Sequence, residues 1–177
     1  MNETTASGGD LSGLSAAELD GLVGVSDKMD SKIARHDRVS SATLENLARS
    51  RSAAVLRNVV LNPACPKTVL LQLAAKFPKE FFHNPAFLIL LFEDPDLFSL
   101  LPITVVKSIL KSPDCPASVI DWAMRLGGSS HALALADRQN LPVPMLRAIA
   151  QGPHIKAAEL ATSNLMRMGA PLDENAG

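Results

Sequence analysis

The stretch Asn62-Pro63-Ala64-Cys65-Pro66-Lys67-Thr68-Val69-Leu70-Leu71-Gln72-Leu73-Ala74 has a counterpart fifty residues on, Ser112-Pro113-Asp114-Cys115-Pro116-Ala117-Ser118-Val119-Ile120, with the same Pro-x-Cys-Pro-x-x-Val core. The residues leading into each copy also correspond, Ala53 to Val60 aligning with Ile103 to Leu110 at the same offset. A proline pushes the residue before it out of the helical region, so a helix running through Val55 to Leu61 must stop at Asn62. Pro66 then suits the first position of a new helix, where its missing N–H is no loss and its fixed φ is already helical. The motif is therefore a corner between two short helices. Val55, Leu56, Val59 and Val60 are spaced to line one face of the first, and Val69, Leu70, Leu73 and Ala74 one face of the second.

Helices of about ten residues fall short of the ~12–15 at which isolated helices persist in water, so each must be held by its neighbours. Stacking several pairs supplies that burial. At an offset of 26, Met29 to Ala48 falls on Val55 to Ala74, with Ile33 on Val59, Ser40 on Pro66, Leu44 on Leu70 and Leu47 on Leu73. Ser40 is expected to cap the helix that Pro66 begins elsewhere. Downstream, Leu141 to Ala150 matches Cys65 to Ala74, with Pro142 on Pro66, and Asn84 to Phe92 is a more degenerate copy. The working unit is 24 to 26 residues, present about five times.

A short helix with Val-x-x-x-Val, then Asn-Pro-x-x-Pro, then a helix with Val-Leu-x-x-Leu-Ala resembles the leucine-rich repeat variant family, an all-helical solenoid related to the HEAT-like repeats. The resemblance covers Met29 to Asn164 and is strongest at residues 53 to 74 and 103 to 124. It implies an all-α, right-handed solenoid of about five two-helix repeats, and no reaction. One type of family member holds an iron–sulfur cluster in a separate cysteine-rich segment. Cys65 and Cys115 stand singly in different repeats, so that cofactor does not carry over.

A chain of 177 residues, 47% hydrophobic, fits one domain with a sizeable core. Its most apolar run, Ala86 to Phe92, stops at Glu93-Asp94-Pro95-Asp96, far short of the ~20 residues a membrane span requires. Met1 to Thr5 carries neither the basic nor the apolar region of a secretory signal, so a cytoplasmic address is expected. The cysteines sit at equivalent corners two repeats apart, too distant for a disulfide if the helices stack at ~8–10 Å. Both read as small buried apolar residues.

Residues 1 to 13 are polar and aperiodic and are expected to be a disordered leader. Residues 14 to 28 are expected to hold a capping helix, with Ser15 as N-cap, Glu18 as its capping-box partner, and Leu14 and Leu19 as a hydrophobic staple. The solenoid spans 29 to 168 and a disordered tail 169 to 177. Gly127-Gly128-Ser129-Ser130 reads as a turn that ends one helix and caps the next. A last helix from His154 to Met168 carries Ile155, Ala158, Ala161, Leu165 and Met168 as its inner face.

No constellation points to catalysis. His36, His83, His131 and His154 fall in different repeats, without the spacing of a metal site. His36 holds the place of Asn62, which suits a hydrogen bond at the corner. Glu93, Asp94 and Asp96 flank Pro95 as solvated turn residues. No catalytic, cofactor-binding or metal residue is expected, and the chain reads as a binding protein rather than an enzyme. Charge divides unevenly: residues 1 to 30 carry a net of −5 and residues 31 to 82 a net of +6. A basic stretch that includes Arg49, Arg51, Arg57 and Lys67 would suit a nucleic-acid backbone, the alternative to protein binding. The whole chain is near neutral at −1 and lacks interleaved aromatics, which favours a protein partner, or self-association, over nucleic acid. The acidic leader is placed to shield the basic stretch.

All six phenylalanines lie between positions 77 and 98, in the most irregular repeat. Phe87 to Phe92 is apolar all round, so that helix is either buried on every side or touches something outside the chain. One reading fills the core with these rings. The other makes Phe81, Phe82, Phe87 and Phe98 the anchors of a partner-binding groove.

Overall fold

The structure, a computed structural model, describes residues 10–170. Among these residues it is all-α: twelve α-helices and one 3-10 turn, Leu97–Leu100, with no strand. Contacts gather the chain into two compact units, Met1–Leu73 with His83–Pro95, and Ala74–Phe82 with Asp96–Gly177. The first holds α1 (Ala16–Asp20), α2 (Asp27–Ala34), α3 (Ser41–Leu47), α4 (Ala53–Leu61), α5 (Lys67–Leu73) and α7 (Phe87–Glu93). The second holds α8 (Ile103–Lys111), α9 (Ala117–Leu126), α10 (Ser129–Ala136), α11 (Val143–Ala150) and α12 (Ile155–Arg167). The division falls within α6 (Pro78–His83).

Local chemistry sets the helix ends. Ser15 and Glu18 form the expected capping box at α1, and the hydrogen bonds from Ser15 hold the Glu18 carboxyl below its ordinary range. That helix is only five residues long, and the rest of 14–28 runs through turns to Ser26, which caps α2 through Met29 N–H. Ser40 caps α3 as expected, accepting from Thr43 N–H at 3.0 Å. Asn62 and Ser112 stop α4 and α8 with extended backbone, ψ 128 and 132, because a proline follows each. Gly127 ends α9 in the left-handed region at φ 65, and Gly128 opens α10.

The corner prolines sit one residue earlier than expected. Pro116 and Pro142 are N-caps with ψ 151 and 142, and the Pro66 carbonyl accepts the first helical bond of α5, from Leu70 N–H. Proline's φ fits the extended N-cap as well as the first turn, and its carbonyl is free to start the ladder.

The corners are tied to one another by buried polar side chains. In the first unit His36 Nε2 bonds Leu11 O at 2.9 Å. Asn62 Nδ2 then donates to Ala34 O and His36 O, and Asn84 Nδ2 to Val60 O and Asn62 O. In the second unit Arg138 donates to Leu110 O, Ser112 O and Pro113 O, and Asn164 to Ala136 O. The asparagine and arginine side chains reach carbonyls at or just past the end of a preceding helix, where no intrahelical partner remains. In the first unit α2, α3 and α5 all pack on α4. In the second α10 packs on α8, α9 and α11, and α12 packs on α10 and α11.

Both ends depart from expectation. Residues 1–9 of the leader lie outside the described residues, but Leu11 is buried and its carbonyl accepts from Leu14 N–H, so residues 10–13 form a turn pinned by His36. Residues 171–177 of the tail also lie outside, whereas Gly169, at φ 68, and Ala170 close α12 with bonds to Met166 O and Leu165 O. The inner face of α12 is Ala157, Ala161, Asn164 and Leu165, while Ile155 and Met168 are exposed. Asn164 is on that face because its amide reaches Ala136 O, and this turns the helix away from the most apolar register.

Candidate functional site

The surface that stands out is α7. Asn84 Oδ1 accepts from Ala86 N–H at 2.7 Å and Phe87 N–H bonds Asn84 O, so the chain turns into helix directly after Pro85. The helix ends at Asp94, before Pro95, and the Asp94 carboxylate pairs with Lys67 Nζ at 2.8 Å. Phe87 is buried at 2% exposure, whereas Leu88, Ile89 and Phe92 are 69%, 60% and 86% exposed. Spaced i, i+1 and i+4, the three form one apolar stripe on the order of a few hundred Å².

The stripe includes none of the expected anchors, Phe81, Phe82, Phe87 and Phe98. Phe81, Phe87 and Phe98 are at most 2% exposed, which makes them core, and Phe82 is half-buried. In the second unit Phe81 stacks edge-on against Phe82 and Phe98, with centroids 5.4 and 6.3 Å apart. Phe98 packs on Trp122 at 5.4 Å, and Trp122 on His131 at 5.6 Å. Rings in mutual edge contact gain from one another what a partner would otherwise supply.

Arg49 and Arg51 on the α3–α4 turn and Arg57 on α4 are exposed, but Lys67 is held by Asp94. The 31–82 stretch belongs partly to each unit, and Asp94 of the first unit pairs with its Lys67. Two acids of residues 1 to 30 are also engaged internally: Asp20 Oδ1 accepts from Thr43 Oγ1 at 2.8 Å, and the buried Asp30 accepts from Gly24 N–H at 2.7 Å.

His36 behaves as a corner residue. Its Nδ1 accepts from Arg38 N–H at 3.1 Å, as Asn62 Oδ1 accepts from Ala64 N–H, and its Nε2 makes the bond to Leu11 O. Among the described residues no group of three or more His, Cys, Asp or Glu side chains is placed to hold a metal, and no helix is long and apolar enough to cross a membrane. Cys65 and Cys115 are free and buried, and burial pushes their thiols up to about 12 and about 11 respectively, the second in spite of the Arg138 charge.

Arg138 and Asn164 carry no motif of their own, yet each occupies the register of Asn62 when the 26-residue frame is carried forward from Pro142. That register is the one signal in the sequence that finds them. Comparison of the chain with family models, with curated proteins and with solved structures finds no match.

Proposed function

We propose that the chain is a right-handed α-solenoid of the leucine-rich repeat variant type, and that it acts as a non-catalytic cytoplasmic scaffold binding another protein through an exposed helical surface. The corner bonds support the solenoid: His36, Asn62 and Asn84 in one unit, and Arg138 and Asn164 in the other, each grip carbonyls 22 to 28 residues earlier. Packing of α2 on α4, and of α10 on α8 and α12, supports it too, since these are the first helices of successive pairs.

The observation that carries the binding role is the α7 stripe. An interface needs a desolvated apolar centre, and Leu88, Ile89 and Phe92 form an apolar stripe with no charge inside it. Leu88→Glu and Phe92→Ser remove the stripe without touching the core. Loss of a complex, or of self-association in sedimentation, with an unchanged circular dichroism spectrum supports the role. Retention of every interaction by both variants overturns it.

Exposed Arg49 and Arg51, with no ion-pair partner among the described residues, favour a second reading, binding of a nucleic-acid backbone. Reversing Arg49, Arg51 and Arg57 to Glu then abolishes a mobility shift that weakens steeply with salt. Absence of any shift of DNA or RNA at low salt removes this reading.

A further inference from the structure

Arg138 places a charge where the equivalent corner has a neutral amide. At the equivalent corner the neutral amide of Asn62 satisfies Ala34 O and His36 O, the carbonyls at the same spacing as Leu110 O and Ser112 O. Arg138, a residue only 7% exposed, reaches both carbonyls and Pro113 O besides. Burying a charge is costly unless it is paired, and among the described residues no carboxylate pairs with it. The α8 carbonyls compensate part of that charge, being the negative end of a helix. Its Nε is nevertheless buried with no hydrogen-bond partner.

The same residue lines a cleft of about 490 Å³, within the range of small-molecule sites. A second guanidinium, that of the exposed Arg167, also lines the cleft. Its Nη2 donates to Asn164 Oδ1, and the buried Asn164 is itself anchored through Nδ2 to Ala136 O. The one carboxylate of the lining, Asp137, is neutralised by Lys111 Nζ at 2.5 Å. Leu146, Leu160 and Met168 supply apolar wall. Two arginines beside an apolar wall, with the lining carboxylate of Asp137 paired to Lys111, match an oxyanion carried on a short hydrocarbon body.

We infer that this cleft of the second unit is a binding site for a small organic anion, a carboxylate or phosphate monoester with a short apolar chain, held by Arg167 with Arg138 beneath it. The site is independent of the α7 surface. Hexanoate and hexyl phosphate, titrated into the full chain at low ionic strength and followed by calorimetry or NMR, test it, with hexanol as the uncharged control. Both anions are expected to bind and hexanol not to. Whichever anion binds more tightly identifies the preferred oxyanion and supports the site equally. Arg167→Gln is expected to weaken binding by about tenfold or more, the loss of a charge-assisted hydrogen bond, and Arg138→Asn to weaken it by removing the buried positive charge beneath the site. Arg138→Asn recreates the corner present at Asn62; if circular dichroism shows that it does not fold, the exposed Arg167→Gln decides by itself. No binding of either anion up to about 50 mM, equal binding of hexanol, or unchanged affinity in Arg167→Gln overturns the inference.

Discussion

Replacing Asn62 by alanine tests the corner network most directly. Asn62 is 4% exposed and makes three hydrogen bonds: Nδ2 to Ala34 O at 2.8 Å and to His36 O at 3.1 Å, and Oδ1 from Ala64 N–H at 2.8 Å. A typical bond contributes about 0.5–1.5 kcal/mol net, and a buried group left without a partner costs about 1–3 kcal/mol. Three bonds lost together, with Ala34 O buried behind the new methyl group, put the destabilisation at roughly 3–4 kcal/mol. That is a large part of the ~5–15 kcal/mol by which folded proteins are stable. At ~2–4 °C per kcal/mol for a chain of this size, the melting temperature falls by roughly 6–16 °C. Thermal and urea unfolding followed by circular dichroism measure it, with the exposed Asn46→Ala as control. A loss for Asn62→Ala no larger than that of Asn46→Ala would refute the reasoning, because the corner amide would then contribute nothing beyond a surface side chain.

Truncating the rings separates core from surface: Phe98→Ala, at 1% exposure, is expected to cost about 3–5 kcal/mol, and Phe92→Ala, at 86% exposure, less than about 0.5 kcal/mol, as read by urea unfolding. Equal costs would contradict the placement. Burial first, and then the Lys107 ammonium, hold His131 below the ordinary imidazole range. The unfolded chain therefore takes up the proton first, so the His131 contribution to stability is intact above the ordinary imidazole value of 6.5 and declines as pH falls from there through the folded value. Urea midpoints at pH 7.5 and 5.5 should differ less in His131→Gln than in the parent, and an unchanged difference counts against this account. With thiol values of about 12 and about 11, Cys65 and Cys115 are expected to resist a thiolate-specific reagent at pH 8 in the folded chain and to react in urea. Rapid labelling of the folded protein would exclude their burial.

What the sequence determined by itself is the local chemistry. Ser15 with Glu18, Ser40, the X-Pro stops at Asn62 and Ser112, and the left-handed Gly127 are decided within a few residues, by bonds the chain makes with itself. Hydrophobic spacing was sufficient for α4 and α5, where Val55, Val59, Val69 and Leu73 are buried as their periodicity requires, because polar residues mark the other side. It could not orient α7, which offers apolar residues in every direction: only its packing decides that Phe87 goes inward and that Leu88, Ile89 and Phe92 face out. The same limit misplaced the inner face of α12, where a carbonyl at Ala136 draws the polar Asn164 into the core in place of Ile155. Periodicity reports which residues prefer to leave water. Which of them can is decided by the neighbours that cover them, and a buried carbonyl needing a donor outweighs the preference of a single apolar side chain.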